Sequence, residues 1–324
     1  MRSFIFVFLI ALTFIESGAQ LRYEDQIRIK EAKQISYLFG DLIWSGYNEP
    51  PFAILFVMDN YEYLIEHYYQ PDDFARLEYD TIIHSTLHRR PAQMNKNFLA
   101  TFPFAGLNTI VIGTPENTGL NSTEWIVTLL HERFHQYQYS SPKYFLETNE
   151  LNLAKGDESG MWQLNYPFPY KDAKVIMAYE TYTQALYEAV KSIGKENWEA
   201  TKKEFFSARR AFKSALVPDD YKYISFQWYQ EGIARYTEYA FLEKLENYEA
   251  SEEVKKLPDF VPFDEYKESF FQKHIENVRK LKLEEVGRVT VYDVGFAEAL
   301  LLRELNPNWD ESYLKVKFDL EKLY

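Results

Sequence analysis

The chain is 324 residues long, 46% hydrophobic and 26% charged, with a formal net charge of −13 and no cysteine. The acidic balance excludes a basic nucleic-acid binder, whose affinity depends on clustered cations facing phosphate. Without cysteine there is no disulfide, iron–sulfur site or thiol nucleophile, so any metal site must be built from the six histidines together with Asp and Glu.

Residues 1–19 read as a secretory signal peptide. Arg2 gives a positive start, Phe4 to Ile15 is an apolar or near-apolar run, and Ser17, Gly18 and Ala19 are small residues of the kind a signal peptidase accepts. That run is too short to cross a bilayer as a helix, and no later stretch is apolar over about 18 residues. The mature chain is therefore expected to be secreted or periplasmic, with no stable membrane insertion. From Tyr23 to Trp44 the apolar positions suit a helix that stops near Gly46 and Pro50-Pro51. Phe52 to Val57 reads as a buried strand, and Asn97 to Phe102 and Asn108 to Ile112 as two more, parted by Pro103 and Gly106. His67 follows a Tyr-rich stretch that reads as helical. Residues 20–145 thus form an N-terminal α/β part ending in a strongly apolar helix over Ser122 to Gln138, which Asn121 and Glu124 are placed to cap.

Residues 146–324 read as a helical part. Met161 to Tyr170 is an aromatic segment that either lines a cleft or packs as a buried loop. Helical patterns follow over Ala173 to Ile193, Trp198 to Leu216, Ile224 to Glu246, Glu265 to Lys280 and about Gly295 to Leu305, with breaks at Gly194, Pro218 and Pro258. The basic cluster Lys202, Lys203, Arg209, Arg210 and Lys213 and the acidic stretch Glu243 to Glu253 read as solvated helix faces. The fold class is α+β, predominantly helical, with a small mixed N-terminal sheet.

The capped helix contains His131-Glu132-Arg133-Phe134-His135. Residues four apart share a helix face, so both imidazoles can point at one metal ion with Glu132 beside it. Six histidines in a chain of this length give about 0.1 pairs at spacing four by chance, and far fewer with Glu after the first. Burying two imidazoles and a carboxylate on so apolar a helix is costly unless something satisfies them, and Zn²⁺ would do so. His84 and His88 are also four apart, but Ser85 stands where the base belongs and Arg89-Arg90 would repel a cation. His67 and His274 read as surface residues. A third ligand must then be Asp, Glu or a remaining His. Glu231, in Gln230-Glu231-Gly232-Ile233-Ala234-Arg235-Tyr236, lies in an aromatic helical stretch, with Gly232 and Ala234 as small residues for close approach to the metal-bearing helix.

His131 to Gln136 (HERFHQ) followed by Gln230 to Tyr236 (QEGIARY) resembles the zincin metallopeptidases, and among them gluzincins of aminopeptidase type, with HExxHQ and a later helix bearing EGxAxY. The resemblance implies a zincin-like catalytic core, His131, His135 and Glu231 as zinc ligands, and Glu132 as the general base acting on a zinc-activated water. The insert of 95 residues between His135 and Glu231 is longer than in the aminopeptidases and places the chain outside that family. Two further similarities are looser. Gly113-Thr114-Pro115-Glu116-Asn117 resembles a loop whose Glu holds a substrate's N-terminus, although a strand-to-helix turn is the simpler reading. Tyr292 stands where such enzymes carry an oxyanion-stabilising Tyr.

Glu238 could support a ligand histidine or serve as an alternative third ligand, with Arg235 nearby to hold it. The strand Asn108 to Ile112 offers an edge for an extended peptide. The expected function is hydrolysis of peptide or protein substrates, with no nucleic-acid partner. Two competing readings are an exported zinc-binding scaffold without catalysis and a zinc hydrolase for a non-peptide amide or ester.

Overall fold

The structure, a computed structural model, describes residues 21–324; the signal-peptide segment lies outside them. We number the helices of ten or more residues in chain order. Helix α1 (Tyr23–Ile43) leads into a six-stranded mixed sheet of β1 (Ile54–Val57), β2 (Tyr61–Ile65), β3 (Ala75–Asp80), β4 (Ser85–Pro91), β5 (Leu99–Phe104) and β6 (Leu107–Gly113). The strand order is β3-β4-β2-β1-β6-β5, with β1 and β6 parallel and the other neighbours antiparallel. Then come α2 (Ser122–Ser140), α3 (Ala173–Ser192), α4 (Trp198–Ala215), α5 (Pro218–Gln227), a π-helical turn (Trp228–Gly232), α6 (Ile233–Lys244), α7 (Phe263–Lys280) and α8 (Thr290–Leu305). The chain is α+β and mainly helical.

The continuous apolar run of β1 follows from burial on both faces. Ile54 and Phe56 join Ile110 and Ile112 in the main core under the helices, while Leu55 and Val57 join Leu64, Phe74 and Val111 in a smaller cluster on the opposite face. The main core draws residues from Leu21 to Leu323, so the N-terminal α/β part and the helical part share it. Strands β2, β3 and β4 are absent from the sequence reading. The Tyr-rich stretch before His67 is strand β2, not helix, and β3 is largely exposed and lacks a clear apolar alternation. His84 sits in the β3–β4 turn with φ 57° and His88 on β4, so their four-residue spacing never places them on one helix face.

Helix α2 begins as its sequence requires. The Asn121 side chain accepts from the Glu124 amide and the Glu124 carboxylate accepts from the Asn121 amide, a complete capping box. Trp125 donates through Nε1 to the Gly113 carbonyl at 2.8 Å, fixing the helix to the end of β6. Arg133, buried on the same helix, donates to the carbonyls of Tyr47, Pro50 and Pro51. Gln136 donates to those of Ala53 and Asn108. These bonds fix the helix's height and rotation against the start of β1 and β6.

Three readings of the helical part need correction. Arg209 does not belong to a solvated face: it is buried and pairs with Glu298 at 2.7 Å, because α4 packs that side inward. The helical stretch Ile224 to Glu246 begins earlier, at Pro218, and runs on through a π turn within it. Gly232 does not serve contact with the metal-bearing helix. Its neighbour is Gly295 of α8, and a Cβ on Gly232 would lie 2.3 Å from the Gly295 Cα. A Cβ on Gly295 would in turn lie 2.8 Å from the Trp228 carbonyl oxygen. Two backbones meet here with no room for a side chain. Gly295→Ala should therefore destabilise the fold by at least about 1–3 kcal/mol, the usual cost of overpacking a core, which urea unfolding at pH 7 would measure.

Candidate metal centre

Helix α2 supplies two imidazoles to one point and the π turn supplies a carboxylate. His131 Nε2 and His135 Nε2 are 3.2 Å apart, and Glu231 Oε2 is 3.7 Å from the first and 3.5 Å from the second. A tetrahedral ion with bonds of about 2.0–2.1 Å holds its ligand atoms about 3.3 Å from one another. The three atoms therefore outline one face of such a tetrahedron. Among the described residues they form the one group of three or more such side chains placed to hold a metal ion.

The π turn places the carboxylate. The Ile233 amide bonds the Trp228 carbonyl, five residues back, so this turn holds one more residue than an α-helical turn. Local insertions of this kind recur at functional sites because they displace one side chain without ending the helix. Glu231 is half-buried while its neighbours Gln230 and Gly232 are buried.

Both imidazoles are oriented by partners on their far nitrogens. His131 Nδ1 is 2.6 Å from Glu238 Oε1, and Arg235 Nη1 donates to Glu238 Oε2 at 2.9 Å. His135 Nδ1 is 2.6 Å from Gln138 Oε1. If Nδ1–H is donated to Glu238 in one ring and to Gln138 in the other, both Nε2 lone pairs face the common point, as ligation requires; Gln230 Nε2 also lies 3.0 Å from His135 Nδ1 and favours that arrangement less. Two such lone pairs 3.2 Å apart repel unless a cation or a proton lies between them. Glu238 stands behind His131, in the supporting position rather than as a ligand. Gln138 is itself fixed, donating through Nε2 to Tyr313 Oη at 2.6 Å, whose hydroxyl donates to the Tyr229 carbonyl.

Glu132 is held from the sheet. Thr101 Oγ1 on β5 lies 2.9 Å from both the carbonyl oxygen and Oε2 of Glu132, which ties the edge of the sheet to this carboxylate. Tyr292, in the first turn of α8, has its ring 6.2 Å from that of His131, and its hydroxyl accepts from Arg288 Nη2 at 3.2 Å. Arg288 Nη1 also donates to Gln227 Oε1 at 3.1 Å and lies 3.5 Å from Glu231 Oε1. On the opposite side Tyr139 stacks on His135 with ring centroids 6.0 Å apart. The aromatic segment Met161 to Tyr170 mainly packs: Trp162, Tyr166 and Phe168 are buried, with Tyr166 stacked on Tyr223.

Other sequence readings fall away from this centre. Glu116 forms a salt bridge with Arg22 at 2.8 Å in a strand-to-helix turn. His67 is buried rather than exposed, with Nε2 3.0 Å from the Phe104 carbonyl and the Tyr69 amide on Nδ1, so neither nitrogen is free. His274 is also buried, 2.5 Å from Asp293, because it follows Phe270 by one turn on the inward face of α7. Strand β6 is not an edge, being paired with β1 and β5; the edges are β3 and β5, and β5 is the one next to it. Thr101, Gln138 and Arg288 are site residues that the sequence reading missed. Gln138 alone had a local signal, three residues after His135 on the same helix. No known protein family's model matches the chain, and neither the curated proteins nor the solved structures contain a match.

Burial alone would depress the His131 pKa, but Glu231 and Glu238 more than offset it and raise it from 6.5 to about 9. Against the cost of its own burial, Glu231 is held well below the usual carboxylate range by the two imidazoles and Arg288. In the metal-free protein a proton on His131 thus takes the place of a cation. Since the folded pKa is raised, this contribution to stability is fully present below about pH 6.5 and is lost as pH rises through about 9. The melting temperature of metal-free protein should fall across that window, and adding Zn²⁺ at pH 7 in weak buffer should release protons. Glu238→Ala should weaken Zn²⁺ binding about 10- to 100-fold, read by chelator competition.

Proposed function

We propose that this chain is a zinc-dependent metallopeptidase with a zincin-like core of gluzincin type, exported after removal of residues 1–19. The observation that carries this reading is the convergence of His131, His135 and Glu231 on one point, with Glu132 beside them on the same helix as His131 and His135. The donor set of two imidazoles and one carboxylate suits zinc and leaves a coordination position open, as catalytic rather than structural sites require. Zn²⁺ held there would supply a Lewis acid that lowers the pKa of a water and polarises a carbonyl.

The chain's own groups do the rest. Glu132 takes a proton from the attacking water and returns it to the leaving amine nitrogen. The Thr101 hydroxyl, donating to Glu132 Oε2, holds that carboxylate in one orientation and leaves Oε1 for the proton. The Tyr292 hydroxyl donates to the oxygen on which negative charge develops. The free edge of β5 carries Thr101, so an extended peptide paired along that edge passes close to Glu132. This replaces β6 as the strand that receives a substrate.

Glu132→Gln is expected to retain one equivalent of metal and to lose peptide hydrolysis by about 10²- to 10⁴-fold, the range of a lost general base. Metal analysis of residues 20–324, with cleavage of a peptide mixture by wild type and variant, checks both. Purified protein that binds no zinc, or a variant as fast as wild type, would refute the reading.

A further inference from the structure

Arg288 is a charged side chain near the centre to which neither metal ligation, nor proton transfer, nor support of a ligand histidine gives a role. It lies in the 3₁₀ turn Gly287–Val289 that opens α8, and it is half-buried. Its guanidinium makes three contacts at once. Nη1 donates to Gln227 Oε1, the last residue before the π turn, and lies 3.5 Å from Glu231 Oε1; Nη2 donates to the Tyr292 hydroxyl. Arg235 approaches the same phenol from elsewhere, with its guanidinium carbon 5.4 Å from the ring centroid against 5.5 Å for Arg288.

The direction of the Arg288–Tyr292 bond is what matters. A guanidinium can only donate, so the phenol oxygen is the acceptor and its own hydrogen must point to another partner. Among the described residues no hydrogen bond has the Tyr292 hydroxyl as donor, so that hydrogen can meet an incoming acceptor. A phenol left without Arg288 would have a choice, because Glu231 is also within the group's electrostatic reach and would attract its hydrogen. Arg288 narrows that choice in two ways: by donating to the phenol oxygen it limits the directions in which the hydroxyl hydrogen can turn, and it competes with that hydrogen for Glu231 Oε1. The planar fork of arginine can span Gln227 and Tyr292 together, which the single ammonium of lysine cannot do as well.

Resting on the metallopeptidase reading, we propose that Arg288 is the positioning residue that aims the Tyr292 hydroxyl hydrogen at the developing oxyanion. It acts through Tyr292, and its effect appears in the transition state rather than in substrate binding. The fork couples this aim to the π turn, so the donor and the ligand Glu231 are set by one side chain.

The test uses zinc-loaded wild type, Arg288→Gln, Tyr292→Phe and the double variant, with a peptide cleaved by wild type and a phosphinic analogue of it. Arg288→Gln should lower kcat about 10- to 100-fold with KM within about twofold. Affinity for the phosphinic analogue should fall by a similar factor, while Glu132→Gln carrying the same change binds the uncleaved peptide as before. In the Tyr292→Phe background Arg288→Gln should cost little more, since both changes remove one interaction. Arg288→Lys, included in case the glutamine variant fails to fold, should lose about 3- to 10-fold. Loss of zinc from a folded Arg288→Gln protein, additive effects in the double variant, or a rise in KM alone would each overturn the assignment. Zinc-loaded wild type that cleaves no peptide would instead overturn the metallopeptidase reading, and this inference with it.

Discussion

Helix α2 is buried along nearly its whole length and still carries His131, Glu132, Arg133, His135, Gln136 and Gln138 in its buried stretch. A buried polar group without a partner costs far more than a paired one gains, so this helix dictates what surrounds it. Arg133 and Gln136 draw in the carbonyls that precede and begin β1 and β6. His131 draws in Glu238, and through it Arg235. His135 requires Gln138, and Gln138 requires Tyr313. Only the two Nε2 atoms and Glu231 remain facing one another, and a cation is the partner that their chemistry suits.

The position of Glu231 depends on a different constraint. Gly232 and Gly295 let α8 approach the backbone of the π turn closely, and this contact holds the extra residue of that turn in place. It also brings the start of α8 to the same spot, which is why Tyr292 and Arg288 stand beside a ligand from a segment about sixty residues earlier in the chain. Packing that excludes side chains at one point thus governs the geometry of several polar groups around it.

Periodicity made the long helices legible, and their observed ends differ from the expected ones by a few residues at most positions. Spacing made His131, Glu132 and His135 legible, because a helix turns sequence intervals directly into spatial ones. Glu238 and Arg235 could be read as supports for the same reason, lying seven and four residues beyond Glu231. What the sequence hides is non-local. Thr101 comes from a strand of the sheet and Arg288 from a short turn, and neither neighbourhood has a pattern pointing to a metal centre. The π turn leaves no periodic trace, since one extra residue in an apolar aromatic stretch shifts the pattern by less than its own irregularity. Strands β2 to β4 were hidden because β3 is exposed on most of its length and Tyr61–Ile65 is short and ends in consecutive apolar residues, which blurs its alternation. Composition could not tell a buried Arg209 from an exposed one, as a helix face reveals its burial only through what packs on it.

The Gln138–Tyr313 hydrogen bond bears on how the protein is made. Tyr313 follows Gln138 by 175 residues, and its hydroxyl stands between Gln138 and the Tyr229 carbonyl. A chain emerging from its N-terminus has the His131–His135 pair long before it has the group that steadies His135. Glu231 and the start of α8 also arrive later, from a distant part of the chain. Until Tyr313 has been made, the polypeptide holds His131 and His135 without the group that steadies the second of them. The geometry of the histidine pair is thus completed by a residue made 175 positions after Gln138, and not by the helix that carries the pair.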